Sequence, residues 1–358
     1  MTGAVLSPAR GRLAEVVTVY PLGDPRWGEL VGRASGGSIF HHPSWLGLLH
    51  TSYRYELGAC CVAGDDGALV AGLPLALVTS RLTGRRLVAL PFSDLCPPLV
   101  APDAVPGAPA ALAAALGDLA RSWQTSLEVR GTGEVLERAP LGARFHHHVL
   151  ALEDDVEAVQ RRFPRSQVLR GVRRALREGL RAEVRRDRAA LADFYRLHVA
   201  TRGRLGVPTQ PRRFVLGLER LFGEGLGFVL LVRREGRPIA AAVFLAHRDV
   251  LTYKYGASDA RFLGIRPNNL LFMEAIRWGC EHGFRSLDFG RTHWGQEGLR
   301  RFKLAWGAEE RELRYRLLGG PGPAGLSQRG ERLLGAVIRR GPPVVGRAIG
   351  EVLYRHAG

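Results

Sequence analysis

The chain reads as an α/β protein of two tandem units, each a mixed, largely antiparallel sheet flanked by helices, followed by a helical tail. Three observations predict this. At 358 residues the chain is too long for one small domain and fits two of ordinary size. A composition 46% hydrophobic and 24% charged belongs to a globular chain that buries a core. The order helices, antiparallel meander, helix, strand also occurs twice. The units are placed at 1–150 and 151–320, and the tail at 321–358.

In the first unit Pro43 opens the helical stretch SWLGLLHTSY, where proline suits the first turn. Residues 55–63, YELGACCVA, and 68–78, ALVAGLPLALV, are strands joined across Gly64-Asp65-Asp66-Gly67, a hairpin signal. RLVALPF follows as a strand, APAALAAALGDLARSW as a helix, and SLEVR and FHHHVLAL as later strands. From Arg161 to Arg188 there are eleven arginines, and Val168, Val172, Leu176 and Leu180 recur at helical spacing. That is an amphipathic basic helix, ended by Gly179, with AEV as a short strand after it. Helical stretches at 189–205 and 211–223 precede strands at 227–233 and 238–247 and the strand VLTYKYGA. A helix from Asn268 to His282, the strand SLDFG and a last strand near 310–318 complete the unit.

The formal charge is +17, and Lys254 and Lys303 are the only lysines. Two readings of this charge stand: a surface that tracks tRNA, nucleotide phosphates or an anionic membrane, or a bias toward arginine in a chain dominated by Ala, Gly, Leu and Arg. Cys60, Cys61, Cys96 and Cys280 form no C-x-x-C pair, and Cys60 and Cys61 fall on opposite strand faces, so free thiols are expected. No segment reaches the roughly 18–20 apolar residues of a membrane span. Met1 to Val17 lacks an apolar core with a cleavage site, so no secretion signal is expected and the location is taken as cytoplasmic. The basic run at 327–340, Pro342-Pro343 and a second helical stretch to Arg355 make either a packing helix pair or a contact with the inner membrane face.

The second half resembles the Fem-like acyltransferases (FemAB/FemX-related), a branch of the GNAT superfamily. The resembling stretches are RSQVLRGVRRALREGLRAEV, FYRLHVATRGRLGVPTQPRRF, YKYGASDARFLGIRPNNLLFMEAIRWGCEHGFRSLDFGRT and GLRRFKLAWGAE. In the first half SIFHHPSWLGLL and PFSDLCPPLV correspond. The resemblance implies two GNAT-like domains in tandem and transfer of an acyl or aminoacyl group from acyl-CoA or aminoacyl-tRNA to an amine. It implies no tightly bound cofactor. The acceptor class is an amine-bearing small molecule, peptide or envelope precursor, in cell-envelope or specialised-metabolite biosynthesis. The long helical hairpin of some cell-wall members has no room between Leu205 and Gly227, and the Q/R-x-x-G-x-G/A phosphate loop is not evident. The competing reading is a non-catalytic GNAT-like scaffold that binds nucleic acid or a membrane surface.

Amine acylation needs a polarised carbonyl, a stabilised oxyanion and an amine free to attack. Phe302-Lys303 matches the family's F-K pair, and Lys303 is implied to stabilise the carbonyl or bind the carrier; a solvated strand or loop lysine is the plainer alternative. Tyr253 and Tyr255 are expected on one face of a strand and Lys254 on the other, the tyrosines as catalytic or core groups. Asn268 and Asn269 open a helix, as caps or as part of an anion site. Asp288 and Arg291 end a strand, and Asp94 of PFSD is a group to bind or deprotonate the amine. Arg170, Arg173 and Arg174 suit carrier or acceptor phosphates. His146 and His148 share a strand face, but with no acidic or thiol partner nearby in sequence no metal is expected.

Overall fold

The computed structural model describes residues 15–356, apart from 81–83, 132–133, 164–166 and 321–327. Most of the stretch read for a secretion signal therefore lies outside the described residues, as do Arg165 and Ser166 of the resembling RSQVLRG segment. The first unit runs β1 (Glu15–Val19), α1 (Pro25–Arg33), α2 (Pro43–Tyr53), β2 (Glu56–Ala63), β3 (Leu69–Ser80), β4 (Gly84–Val88), β5 (Leu99–Val100), α3 (Ala108–Ser122), β6 (Ser126–Arg130) and β7 (Leu141–Ala151). After α4 (Val156–Arg161) and α5 (Val168–Arg177) the plan repeats. It runs β8 (Arg181–Arg185), α6 (Arg188–Leu205), α7 (Arg212–Gly223), β9 (Gly227–Arg234), β10 (Arg237–His247), β11 (Val250–Ser258), α8 (Pro267–Glu281), β12 (Ser286–His293), α9 (Glu297–Leu304) and β13 (Glu309–Leu318). The tail is α10 (Gln328–Arg340) and α11 (Pro343–Leu353).

All strands join one sheet, in the order β1-β2-β3-β4-β6-β13-β7-β12-β11-β10-β9-β8, with β5 on β3. The order is a palindrome of the two units, with one exchange. β7 leaves the first unit to pair with β12, β13 leaves the second to pair with β6, and β7 and β13 pair with each other at the centre. In each unit one pair is parallel, β4 with β6 and β11 with β12. Two successive α/β units followed by a helical tail are thus seen, built into a continuous sheet.

Helices cover both faces, which is why β9 and β10 read as unbroken apolar runs. Along β9, Val229 and Leu231 enter a core shared with α2, α3, α6 and α7, while Phe228, Leu230 and Val232 enter a second core under α4, α5 and α8. Cys60 and Cys61 separate into different clusters, and all four cysteines are buried and free. The units are also tied outside the sheet. Arg248, in the β10–β11 turn, donates to Ala34 O (2.6 Å) and Val31 O (2.9 Å), carbonyls at the C-terminal end of α1. The α10–α11 pair packs on α6, as one of the two sequence readings of the tail has it. Among the described residues no helix is long and apolar enough to cross a membrane.

Candidate active site

The site begins where β11 and β12 part. Their parallel ladder covers only Val250↔Ser286, Leu251↔Leu287 and Thr252↔Asp288. Past that point each strand bulges against its other neighbour: β10 pairs with Tyr253 and Tyr255 and skips Lys254, and β7 slips by one residue between Asp288 and Arg291. The two bulges open a notch. Gly290 lines it at φ +68°, a left-handed conformation that favours glycine, and a Cβ there would stand close to Asp94 Oδ2, at 3.3 Å.

The β11 bulge overturns the expected facing of the tyrosines. An extra residue shifts strand parity by one, so Tyr253 packs on Phe272 (4.9 Å between ring centroids) and Phe244 (5.8 Å) in the α8 core. Tyr255 lies on the opposite face near Phe214 (6.1 Å) and His198 (6.0 Å), on the same side as Lys254. Burial raises both phenols, Tyr253 to about 12. Among the described residues the Tyr253 hydroxyl makes no hydrogen bond.

Asp94 reaches the notch from the first unit. Its carboxylate accepts from Lys254 Nζ at 3.0 Å and lies 3.4 Å from Arg291 Nε. Burial alone would push Asp94 upward, but Lys254 and Arg291 outweigh it and hold the carboxyl below its ordinary value. Lys254 is only 4% exposed along its side chain and sits over the rings of Phe40 (4.9 Å), Tyr255 (5.3 Å) and Trp45 (5.8 Å). Burial draws its ammonium down against the pull of Asp94.

Lys303 is neither a strand nor a loop residue: it lies on α9 and is 2% exposed. Its Nζ donates to Gly290 O at 2.8 Å and Arg291 O at 3.1 Å, which leaves one of three donors unused by the described residues. Burial lowers its pKa to about 8, with Asp288 and Asp94 resisting. Asp288 Oδ1 accepts from Gly290 N at 2.7 Å and from His147 Nε2 at 2.8 Å. Burial opposes the His147 charge, but Asp288 prevails and raises its pKa above the ordinary 6.5. Asp94, Asp288, His147 and Lys303 therefore gather about one glycine.

His147 is a residue that sequence reasoning passed over. The signal was the alternation of the histidine run, with two residues on one face and one on the other. The structure supplies the acidic partners that the local sequence lacks. His148 Nε2 lies 2.9 Å and His146 Nδ1 3.4 Å from Glu310, and His147 faces Asp288. Among the described residues no group of side chains suits a metal ion.

Beside the notch is a basic cavity of about 560 Å³, lined among others by Arg170, Arg174, Arg266, Asn269, Phe302 and Trp306. Arg170 and Arg174 share a helix face one turn apart; Arg173 points elsewhere and is exposed. Asn269 Nδ2 donates to Val168 O at 3.4 Å across the space above Gly171, where a Cβ would stand 2.6 Å from the amide carbon. Neither asparagine caps α8: that position is Arg266, in left-handed conformation before Pro267. Asn268 lines neither cavity nor notch. The buried Trp306 indole N–H has no partner among the described residues. Adjacent residues of α9 serve the two places, Phe302 at the cavity and Lys303 at the notch.

Residues 162–310 match a family described as acetyltransferase (GNAT) domain. No curated protein matches the chain. Among solved structures, FemX superposes with a TM-score of 0.64 at 15% identity, covering 84% of this chain and 96% of FemX. L-PGS from Bacillus licheniformis gives 0.56 at 15%, covering 89% and 98%. The C-terminal domain of a putative lysylphosphatidylglycerol synthetase from Agrobacterium fabrum gives 0.54 at 14%, covering 88% and 95%. The resemblance to Fem-like GNAT acyltransferases is borne out in the fold.

Proposed function

We propose, from the premise that residues 162–310 are a GNAT-type acyltransferase domain, that the chain moves an acyl or aminoacyl group from an activated carrier to an amine at the β11–β12 notch. The convergence of Asp94, Asp288, His147 and Lys303 on Gly290 carries this reading. The amine nitrogen attacks the acyl carbonyl carbon. The bond from that carbon to the carrier's sulfur or ribose oxygen breaks, and the amine proton passes by way of the His147–Asp288 pair to the leaving atom. The third N–H of Lys303 serves the developing oxyanion. Asp94, held ionised by Lys254 and Arg291, binds the acceptor amine rather than taking its proton.

The arginine-lined cavity is the carrier's phosphate site in this reading. Guanidinium forks and an unpaired indole N–H suit phosphate oxygens, and the start of α8 lies at its wall. Acyl-CoA and aminoacyl-tRNA both present such phosphates. The related notch of the first unit is plugged: Arg130 donates to Leu90 O at 3.0 Å and Ser93 O at 3.2 Å and is 6% exposed. That supports chemistry in the second unit, with the first supplying Asp94 and His147. The division 1–150, 151–320 and 321–358 is kept with this exchange of strands. Envelope or specialised-metabolite precursors, met in the cytoplasm, are the proposed acceptors.

Purified chain offered acyl-CoA or aminoacyl-tRNA with amine acceptors tests the reading. One donor should be consumed, and Lys303→Ala should lower kcat about 100-fold. Consumption of neither donor, or an unchanged rate in Lys303→Ala, defeats it.

A further inference from the structure

We propose that the α10–α11 hairpin docks on an anionic lipid bilayer, a role separate from acyl transfer. One side of the hairpin is fixed to the protein: Thr209 N donates to Gly346 O at 3.1 Å, and the buried Gly335, Ile338, Gly346 and Gly350 face inward. Its other side carries apolar side chains that no described residue covers. Leu333 and Val337 stand one turn apart on α10, Val344 and Val352 two turns apart on α11 with exposed Ala348 between them, and all four large side chains are more than half exposed. These are four of the twelve large hydrophobics exposed among the described residues, concentrated in 26 positions (328–353). Next to them is a groove of about 840 Å³ whose lining mixes apolar residues such as Leu205, Val207 and Leu334 with Glu331, Arg332 and Arg339.

Charge selects the occupant. The two helices and their ends carry Arg329, Arg332, Arg339, Arg340, Arg347 and Arg355 against Glu331 and Glu351, and Glu351 is already paired with Arg213 at 2.6 Å. Among the described residues Arg329, Arg332 and Arg340 have no acidic partner. A second copy would bring the same positive face and be repelled. A nucleic acid would match the arginines and leave the valine and leucine stripes in water. An anionic bilayer matches both: apolar residues enter the headgroup boundary while arginines meet lipid phosphates.

The test is co-sedimentation of the full chain with phosphatidylcholine vesicles, with and without one third phosphatidylglycerol. Binding is expected only with phosphatidylglycerol, weakening as salt rises. Arg332→Gln/Arg340→Gln should lower partitioning about 30-fold. Leu333→Gln/Val337→Gln should lower it too, with the parent's circular dichroism and melting kept in both variants. Equal binding to both vesicles, or to neither, overturns the proposal. So does a parent chain that self-associates and becomes monomeric in Leu333→Gln/Val337→Gln with vesicle binding intact. Acyl transfer to a soluble acceptor is measured separately, so its loss and the loss of docking are told apart.

Discussion

Lys254 and Asp94 are 160 residues apart in sequence and 3.0 Å apart in the fold. The pair joins the first unit to the β11 bulge, and Arg291 adds a tie to β12. Asp94→Asn would leave Lys254 enclosed by aromatic rings without its counter-charge. We expect a loss of about 3 kcal/mol, read as a lower denaturation midpoint. Acyl transfer should fall with it.

The proposed chemistry predicts a bell-shaped pH profile. His147 must be neutral to take a proton, and its pKa is raised, so kcat climbs through a limb above pH 6.5. Lys303 must be charged, and its pKa is lowered to about 8, so kcat declines as pH passes that value. His147→Gln should remove the rising limb and cost about 100-fold in rate. Lys303→Arg should move the falling limb beyond the assay range, since guanidinium stays protonated, at a reduced maximum.

Arg170→Ala and Arg174→Ala should each raise KM for the carrier about tenfold with kcat nearly unchanged, because they hold phosphate and not the reacting carbonyl. Arg173→Ala, outside the cavity, should leave KM as it is. Steady-state kinetics with the preferred donor distinguish the three.

Glu310 anchors the central β7–β13 pair. It takes both nitrogens of an Arg300 fork (2.6 and 2.8 Å) and His148 Nε2 (2.9 Å). The Arg300 bonds, working against burial, bring its pKa to about 2 from 4.5. A depressed carboxylate stabilises above its unfolded value and loses that contribution as pH falls from 4.5 toward 2. Glu310→Gln should cost about 1–2 kcal/mol at neutral pH, allowing for partial exposure, and flatten the acid limb of a Tm-against-pH curve.

Much of the architecture was legible because it is written locally. Apolar runs bounded by Gly64-Asp65-Asp66-Gly67 marked a hairpin, and Val168 and Val172 marked the buried face of α5; Leu176, read onto that face, is exposed, Ala175 is buried instead, and Leu180 lies beyond the helix, which ends at Arg177. Phe302, Asn269, Arg170 and Arg174 were named from sequence and line one cavity; Asp94, Lys254, Asp288, Arg291 and Lys303 were named and meet at one notch. The facing of Tyr253 and Tyr255 was misread because a bulge is set by the neighbouring strand's register, which no run of β11 residues encodes.

The sequence by itself determined the two-unit α/β plan, the basic amphipathic helices and the residue types that amine acylation needs. Only the tertiary structure decided which of them meet. The exchange of β7 and β13 carries His147 to Asp288 across 141 positions, and the loop after β4 carries Asp94 to Lys254. Helix and strand periodicity depends on neighbours a few residues away. The notch depends on which distant strands share a ladder, and that is settled when the whole sheet buries both its faces.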